Sequence, residues 1–496
     1  GRLDLRNLPL VTIDGESAKD FDDAVYLRRL PGGGWELTVS IADVAHYVAE
    51  DSALDSEAFT RGTSVYFPGT VIPMLPFELS NDICSLRPRV DRLTMSAVMT
   101  LDAGGEVVDY LIRDSVIRTV QRMTYTDVAA IIERRDPAVT ARYAGLAPMF
   151  HDMAELAALL REKRAAAGAI DFDLPEPEVI LDVTGRPENI IRAERNDAHR
   201  LIEEFMLLAN RVVARHLVEK RYPSLHRVHD RPDPLKIEAF REFAATFGYR
   251  FASGAALSAK DMQRVLASVS GSPEEKLITH VLLRSMKQAR YSAQGEGHFA
   301  LAFDHYTHFT SPIRRYPDLI VHRTLKDLIH RRRRADHWKE RLDRIAAQCS
   351  AAERNADEAE RDVIKLRQTQ HMATRIGETF EGIISGVTAF GFFVELADPA
   401  VEGLVRLTSL HDDYYIFDER NHKLTGERTG RVFRLGDLAH IRVTRAHVEL
   451  RQIDFEWLGE PGAPEPRAAR PKRGERIKRK GRPQARDRRA GRKKRR

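Results

Sequence analysis

Four aspartates crowd ten residues near the start of the chain. Asp14, Asp20, Asp22 and Asp23 lie within Val11-Thr-Ile-Asp-Gly-Glu-Ser-Ala-Lys-Asp-Phe-Asp-Asp-Ala-Val-Tyr26, flanked by apolar Val11, Ile13, Phe21, Ala24 and Val25. The pattern reads as a strand, a short loop and a second strand holding carboxylates at the edge of a core. Two like charges about 4 Å apart repel by roughly 4 kcal/mol at an effective dielectric near 20. Converging carboxylates therefore need protons or a hard divalent cation. An EF-hand would need acids at alternate positions, a Gly at the sixth and a Glu at the twelfth, and this spacing does not supply them. Oxygen-only donors favour Mg²⁺, with Mn²⁺ as the alternative, which suits phosphoryl chemistry. The same residues would also serve as an acidic loop built on Asx-turns and helix caps; the carboxylates alone leave both readings open.

A second stretch, Tyr306-Thr-His-Phe-Thr-Ser-Pro-Ile-Arg-Arg-Tyr-Pro-Asp318, sets Arg314 and Arg315 after a Ser-Pro turn and before an amphipathic helix expected over Asp318–His330. Hydroxyls, guanidiniums and a helix N-terminus on one turn make a phosphate clamp. Alternatively the arginines and Asp318 only cap and pair. Between the two stretches, Thr63–Pro76 carries three prolines and a glycine, which fix an extended path bearing Tyr66 and Phe67. Such stiffly held aromatics stack on bases or fill core, and composition favours core. His46, beside Asp43 at the end of the second strand, reads as structural, and Arg331–Arg334 as a solvated helix end.

The elements that must position these groups follow from periodicity. Pro31-Gly-Gly-Gly34 joins strands expected over Ala24–Arg28 and Trp35–Ile41, a hairpin signal. Leu93–Leu101 and Val107–Thr119 read as further strands. From Thr124 the pattern turns helical: Phe150–Ala167 with Gly168 as C-cap, and His199–Lys220 with an apolar face. Capping boxes at Ser272–Glu275 and Ser350–Glu353 predict helices running to Arg290 and to Met372. Strands first and helices after give an α+β domain over residues 1–372. Residues 376–458 change to short glycine-punctuated strands, expected to close a five-stranded OB-type barrel. There Phe390, Phe392 and Phe393 surround Gly391, and exposed aromatics on such a barrel are stacking platforms for single-stranded bases.

The net charge of +6 hides an asymmetry. Arg467–Arg496 holds 17 Lys/Arg against two acids, a net +15, so the other 466 residues carry −9. Residues 459–496 thus form a basic tail, expected to be disordered and to bind polyanions, RNA first, or to contact the ribosome or other RNA-processing proteins. Cys84 and Cys349 lie far apart, so neither a disulfide framework nor a zinc site is indicated. With no apolar run of membrane-spanning length and no secretory signal, a soluble cytoplasmic protein, most simply a monomer, is expected. The chain opens at Gly1 without an initiator Met and enters the acidic motif at once, which suggests a fragment.

Thr12-Ile-Asp-Gly-Glu-Ser-Ala-Lys-Asp-Phe-Asp-Asp23 closely resembles the catalytic signature of the RNase II/RNase R exoribonucleases, the RNB domain. Residues 63–86, Arg195-Asn-Asp-Ala-His199 and His308–Asp318 resemble that family's later blocks, and residues 376–458 its S1-type OB domain. The wording of the Thr310–Asp318 block and the basic tail point to the RNase R branch. That branch carries cold-shock-type OB domains ahead of the RNB domain, and this sequence does not contain them.

The resemblance implies processive 3′-to-5′ hydrolysis of RNA with a single-stranded 3′ end, giving 5′-nucleoside monophosphates with Mg²⁺. By position, Asp14, Asp20, Asp22 and Asp23 would surround the metal, Asp22 matching the aspartate regarded as most critical. Tyr66 matches the aromatic that packs on the terminal bases, Arg314 the arginine at the scissile region, and Glu360, in Ala359-Glu-Arg-Asp362, a glutamate implicated in activity. Phe390 and Phe393 are the barrel's candidate RNA contacts. Where RNase II places a second stacking Phe, this chain has His229-Asp-Arg-Pro232, so no second clamp residue is assigned. The competing expectation is an RNB-fold protein that binds RNA without cutting it; four intact aspartates weigh against it.

Overall fold

The computed structural model describes residues 1–170, 176–193, 195–250, 258–272, 274–419 and 422–459. The expected basic tail therefore lies, from residue 460 on, outside the described residues.

The acidic motif is set in a seven-stranded sheet. Its strands are β1 (Leu3–Asp4), β2 (Val11–Asp14), β3 (Asp23–Arg29) and β4 (Trp35–Ala42), then β7 (Asp91–Leu101), β8 (Val107–Arg118) and β9 (Gln121–Thr124). A separate two-stranded hairpin, β5 (Val65–Phe67) and β6 (Thr70–Ile72), stands apart from it. The sheet order is β1-β8-β7-β4-β3-β2-β9, antiparallel except at the β1–β8 and β2–β9 pairs. The middle strand β4 is buried along almost its whole length, the signature of a strand covered on both faces.

The helix Ala147–Ala167 ends at Gly168, whose φ of +103° supplies the left-handed C-cap the sequence predicts. The helix Asp197–Glu219 starts at Asn196, whose side chain accepts from the His199 N–H. Together with the helix Tyr316–Ile329 they enclose one large core running from Leu10 to Cys349. A smaller core, with Phe240, Met262 and Ile278, sits under the helices of residues 234–285.

Three helix expectations need correction. The helix after Ser272 spans Glu275–Ser285, has no side-chain cap, and stops short of Arg290. Arg290–Ser292 instead pairs antiparallel with His226–Val228, so tertiary strand pairing overrides helical propensity. Ser350 starts no helix. It lies inside a 39-residue helix, Ala335–Ala373, where its hydroxyl bonds the Ala346 carbonyl four residues back. The helix expected to be amphipathic over 318–330 is buried all round for most of its length, with Asp318, His322, Arg323 and Asp327 internal. Its ionic groups are paired: Asp318 with Arg315, and Arg323 with Asp55.

The end of the long helix leads into a closed five-stranded barrel of Thr379–Thr388, Gly391–Leu396, Glu402–Arg406, Leu438–His447 and Gln452–Gly459. At Gly391 (φ +153°) a Cβ would stand 2.2 Å from the Val405 carbonyl oxygen, so only glycine lets these strands approach. A three-stranded sheet, Tyr415–Asp418, Lys423–Gly426 and Val432–Arg434, is added to the barrel. Residues 434–437 turn between Val432–Arg434 and the strand that starts at Leu438.

Candidate active site

Asp14 ends β2 and Asp23 opens β3, so two adjacent strands bring both carboxylates to one edge of the sheet. The loop between them is fixed from three sides. Arg122 on β9 donates to the carbonyls of Gly15 (2.7 Å) and Glu16 (2.8 Å). Ser85 accepts from the Phe21 N–H and donates to the Lys19 carbonyl. The Ala42 N–H donates to the Asp22 carbonyl at 2.8 Å. The Asp22 side chain is 5 % exposed; its Oδ1 accepts from the Ile313 N–H at 2.9 Å, while Oδ2 is buried with no partner.

The two arginines of the Ser-Pro turn divide the two roles open to them. Arg315 is half-buried and pairs with Asp318 at 2.7 Å, and the same Asp318 oxygen accepts from the Ser311 N–H. Arg314 faces the aspartates, and among the described residues its guanidinium donates a hydrogen bond only to the Ser311 hydroxyl, at 3.2 Å. Its carbonyl accepts from the Ser64 N–H at 2.9 Å and the Thr63 hydroxyl at 3.1 Å, stitching the arginine turn to the β5–β6 hairpin. On that hairpin Tyr66 is 42 % exposed, against the compositional expectation of core. Its hydroxyl donates to Asp20 Oδ2 at 3.0 Å, and its N–H donates to Glu360 Oε1 at 2.7 Å.

These groups line one open cavity of about 420 Å³: all four aspartates, Tyr66 and Arg314, joined by Tyr125, Glu203, Asn210 and Ser311. Glu360 does not line it and meets it through the Tyr66 N–H and through the charge of Arg314. Crowding shows in the acid–base balance. Burial first, then the charges of Asp23 and Asp20, push Asp14 up to about 8. Burial pushes Asp23 up to about 6 against the pull of Arg314. Asp22 is raised well above the carboxylate range, again by burial first. Oxygen-only donors, proton-hungry carboxylates and the unpartnered Asp22 Oδ2 together fit a hard divalent cation. Among the described residues no three His, Cys, Asp or Glu side chains are already gathered as a finished metal cluster.

The RNB domain family matches residues 2–331, two thirds of the sequence. The chain belongs to the RNB family. The S1 RNA binding domain family matches residues 374–457. Ribonuclease R of Escherichia coli is 44 % identical over 470-odd residues, covering 94 % of this chain and 58 % of that protein, so the chain spans little more than half the length of such relatives. Mycoplasma genitalium RNase R in complex with ribose-methylated single-stranded RNA superposes with a TM-score of 0.85 at 30 % identity, over 92 % of this chain and 72 % of that one. Yeast Ssd1, a pseudonuclease, shares the fold (TM-score 0.70, 22 % identity, 85 % of this chain and 52 % of that one).

Within this RNB chain the barrel aromatics stand apart from the carboxylate cavity. Phe390 is 58 % exposed and meets the half-buried Phe393 edge-on at 6.3 Å, while Phe392 turns into the barrel core and stacks on Phe433. Asp43 is buried against Arg2 and Lys326. Arg334 departs from the expected solvated run: it pairs with Glu50 and Asp327 and lies over Trp338. Sequence reasoning missed Tyr125. Strand β9 runs parallel to β2 with Thr124 opposite Asp14, so the next residue must reach the cavity, where its ring stacks on His199 at 3.9 Å. Only that strand pairing could have revealed it. Asn210 and Tyr306, hydrogen-bonded to each other at 3.2 Å, were likewise invisible as a pair 96 residues apart.

Proposed function

We propose that this chain is a 3′-to-5′ exoribonuclease that hydrolyses RNA bearing a single-stranded 3′ end, processively, to 5′-nucleoside monophosphates. The observation that carries it is the one cavity joining four aspartates, an exposed tyrosine and an arginine that faces those aspartates. Residues 1–372 would form the catalytic domain, 376–458 the RNA-binding barrel, and 459–496 a basic tail that adds charge toward RNA. Asp14, Asp20, Asp22 and Asp23 would hold Mg²⁺, or Mn²⁺ in its place. A bound cation of this class acidifies water and offsets the charge of a pentavalent phosphorus. The remaining work belongs to side chains. Arg314, held at its carbonyl by the hairpin, would meet a non-bridging phosphate oxygen and favour its growing charge. Tyr66 offers a ring face to the terminal bases while its hydroxyl holds Asp20. Phe390 and Phe393 give incoming bases a surface further out.

The fold alone does not separate a nuclease from a pseudonuclease; the four aspartates do, and they favour catalysis. The test is Mg²⁺-dependent release of mononucleotides from a single-stranded RNA labelled along its length. Indifference to EDTA, or long internal fragments, would overturn the reading.

A further inference from the structure

A second cavity, of about 220 Å³, lies behind the catalytic one, between the helices Ala147–Ala167 and Asp197–Glu219. Leu207 lines both. The rest of the partition is built from neighbours that face opposite ways. Asn210 and Tyr306 face the catalytic cavity, whereas Arg211 and Phe303 face the rear one. The rings of Phe303 and Tyr306 are 5.6 Å apart, and the Arg211 guanidinium lies 5.2 Å from the Phe303 centroid. The wall is therefore one side chain thick at Leu207 and two rings thick beside it.

The charges around the rear cavity are unequally satisfied. Lys163 pairs with Glu106, Arg164 with Glu204, and Arg215 with Glu219. Among the described residues Arg211 alone of these four cations has no carboxylate partner. A free guanidinium laid on an aromatic ring, at the mouth of apolar walls, suits a phosphate monoester that carries a flat apolar base.

We propose that the rear cavity receives the 5′-nucleoside monophosphate product on its way out, an inference that rests on the exoribonuclease reading. Each cleavage leaves a dianionic mononucleotide beside four aspartates while the shortened strand still fills the way in. Arg211, beyond the partition, attracts that dianion. Displacement of Leu207 joins the two cavities. The product then leaves without the strand having to back out, which processive cutting requires.

The test uses the full chain with Arg211→Glu, and with Ala167→Trp, which fills the rear cavity from an exposed helix end. Equilibrium binding of a fluorescent methylanthraniloyl-AMP is measured in EDTA, with AMP, adenosine and inorganic phosphate as competitors. The wild type should bind saturably, with AMP displacing the probe better than adenosine or phosphate, and both variants should bind about tenfold more weakly. Both should also keep the single-turnover rate of the first cleavage while their multiple-turnover rate falls. Wild-type probe binding and release in both variants overturns the exit site and leaves the exoribonuclease reading standing; displacement by phosphate as strong as by AMP also overturns it, as a bare anion site. A wild-type chain that does not cleave RNA overturns both.

Discussion

The backbone N–H of Ile313 donates to Asp22 Oδ1 at 2.9 Å, across 291 residues of sequence. This one bond locks the acidic loop to the arginine turn, whose next carbonyl, that of Arg314, is held in turn by the Tyr66 hairpin. Carboxylate, guanidinium and aromatic ring are thereby fixed relative to one another by backbone contacts.

Asp22→Asn keeps an oxygen for the Ile313 N–H and removes the charge. Cleavage should fall by more than about 100-fold, with RNA affinity nearly intact and the thermal midpoint unchanged or higher. Asp22→Ala removes the acceptor as well and should cost about 1–3 kcal/mol of stability. Denaturation alongside oligonucleotide binding checks both, and parallel loss of binding in Asp22→Asn would mark the motif as structural.

Cation binding should release protons. With Asp14 pushed up to about 8, the cation-free protein holds a proton there at pH 7 that Mg²⁺ must displace. Calorimetry in buffers of different ionisation heat should show net proton release on Mg²⁺ binding, and less in Asp14→Asn. The linkage sign follows from the raised value: the protonated folded form is the stable one. In chelator, stability should therefore fall as pH rises from about 4 to about 8 and level off above, and Asp14→Asn should flatten that slope.

The histidines near His229 should act in the opposite sense. Burial, with the charge of His305, lowers His226 to about 4, and burial, with the charge of His229, lowers His298 to about 3. The unfolded chain takes up these protons near pH 6.5 and the folded chain refuses them. Their stabilisation is complete above pH 6.5 and is lost as pH falls toward 4, by up to about 1.4 kcal/mol per pH unit for each group. Thermal midpoints from pH 7 to 4.5 should fall less steeply in His298→Gln.

Glu360 should matter as an acceptor. Glu360→Gln keeps an oxygen for the Tyr66 N–H, whereas Glu360→Ala frees that amide. Hydrogen exchange at Tyr66 should speed up by about tenfold in Glu360→Ala and little in Glu360→Gln. Equal exchange in the two variants would show that the hairpin is held by its other contacts.

Deleting residues 459–496 should weaken RNA binding and flatten its dependence on salt, because each Lys or Arg that neutralises a phosphate releases counterions. An unchanged slope of log affinity against log salt would count against a role for the tail on RNA.

Much of the site was legible because its chemistry is local in sequence. Asp14 to Asp23 and Ser311 to Asp318 each fall on one loop, and short-range patterns expose such groups. The hairpin strands around Pro31–Gly34 and the cap at Gly168 were legible for the same reason. What stayed hidden depends on pairing over long distances. Tyr125 reaches the cavity only because β9 lies against β2, and Arg290 leaves its helix only because His226–Val228 claims it. The start of the long helix was misread because Ser350 imitates a cap while bonding back to Ala346 inside it. Exposure at Tyr66 could not come from composition, since a Pro-rich segment is stiff whether it is covered or bare.

The helix Ala335–Ala373 is about 58 Å long at 1.5 Å per residue. Trp338 and Leu342 root it in the large core, Glu360 props the amide of Tyr66, and Met372 enters the core of the barrel. It is thus a single strut tying the large core, the Tyr66 hairpin and the barrel together. A displacement of the barrel is therefore load on that strut, and the hairpin that carries Tyr66 is braced part-way along it.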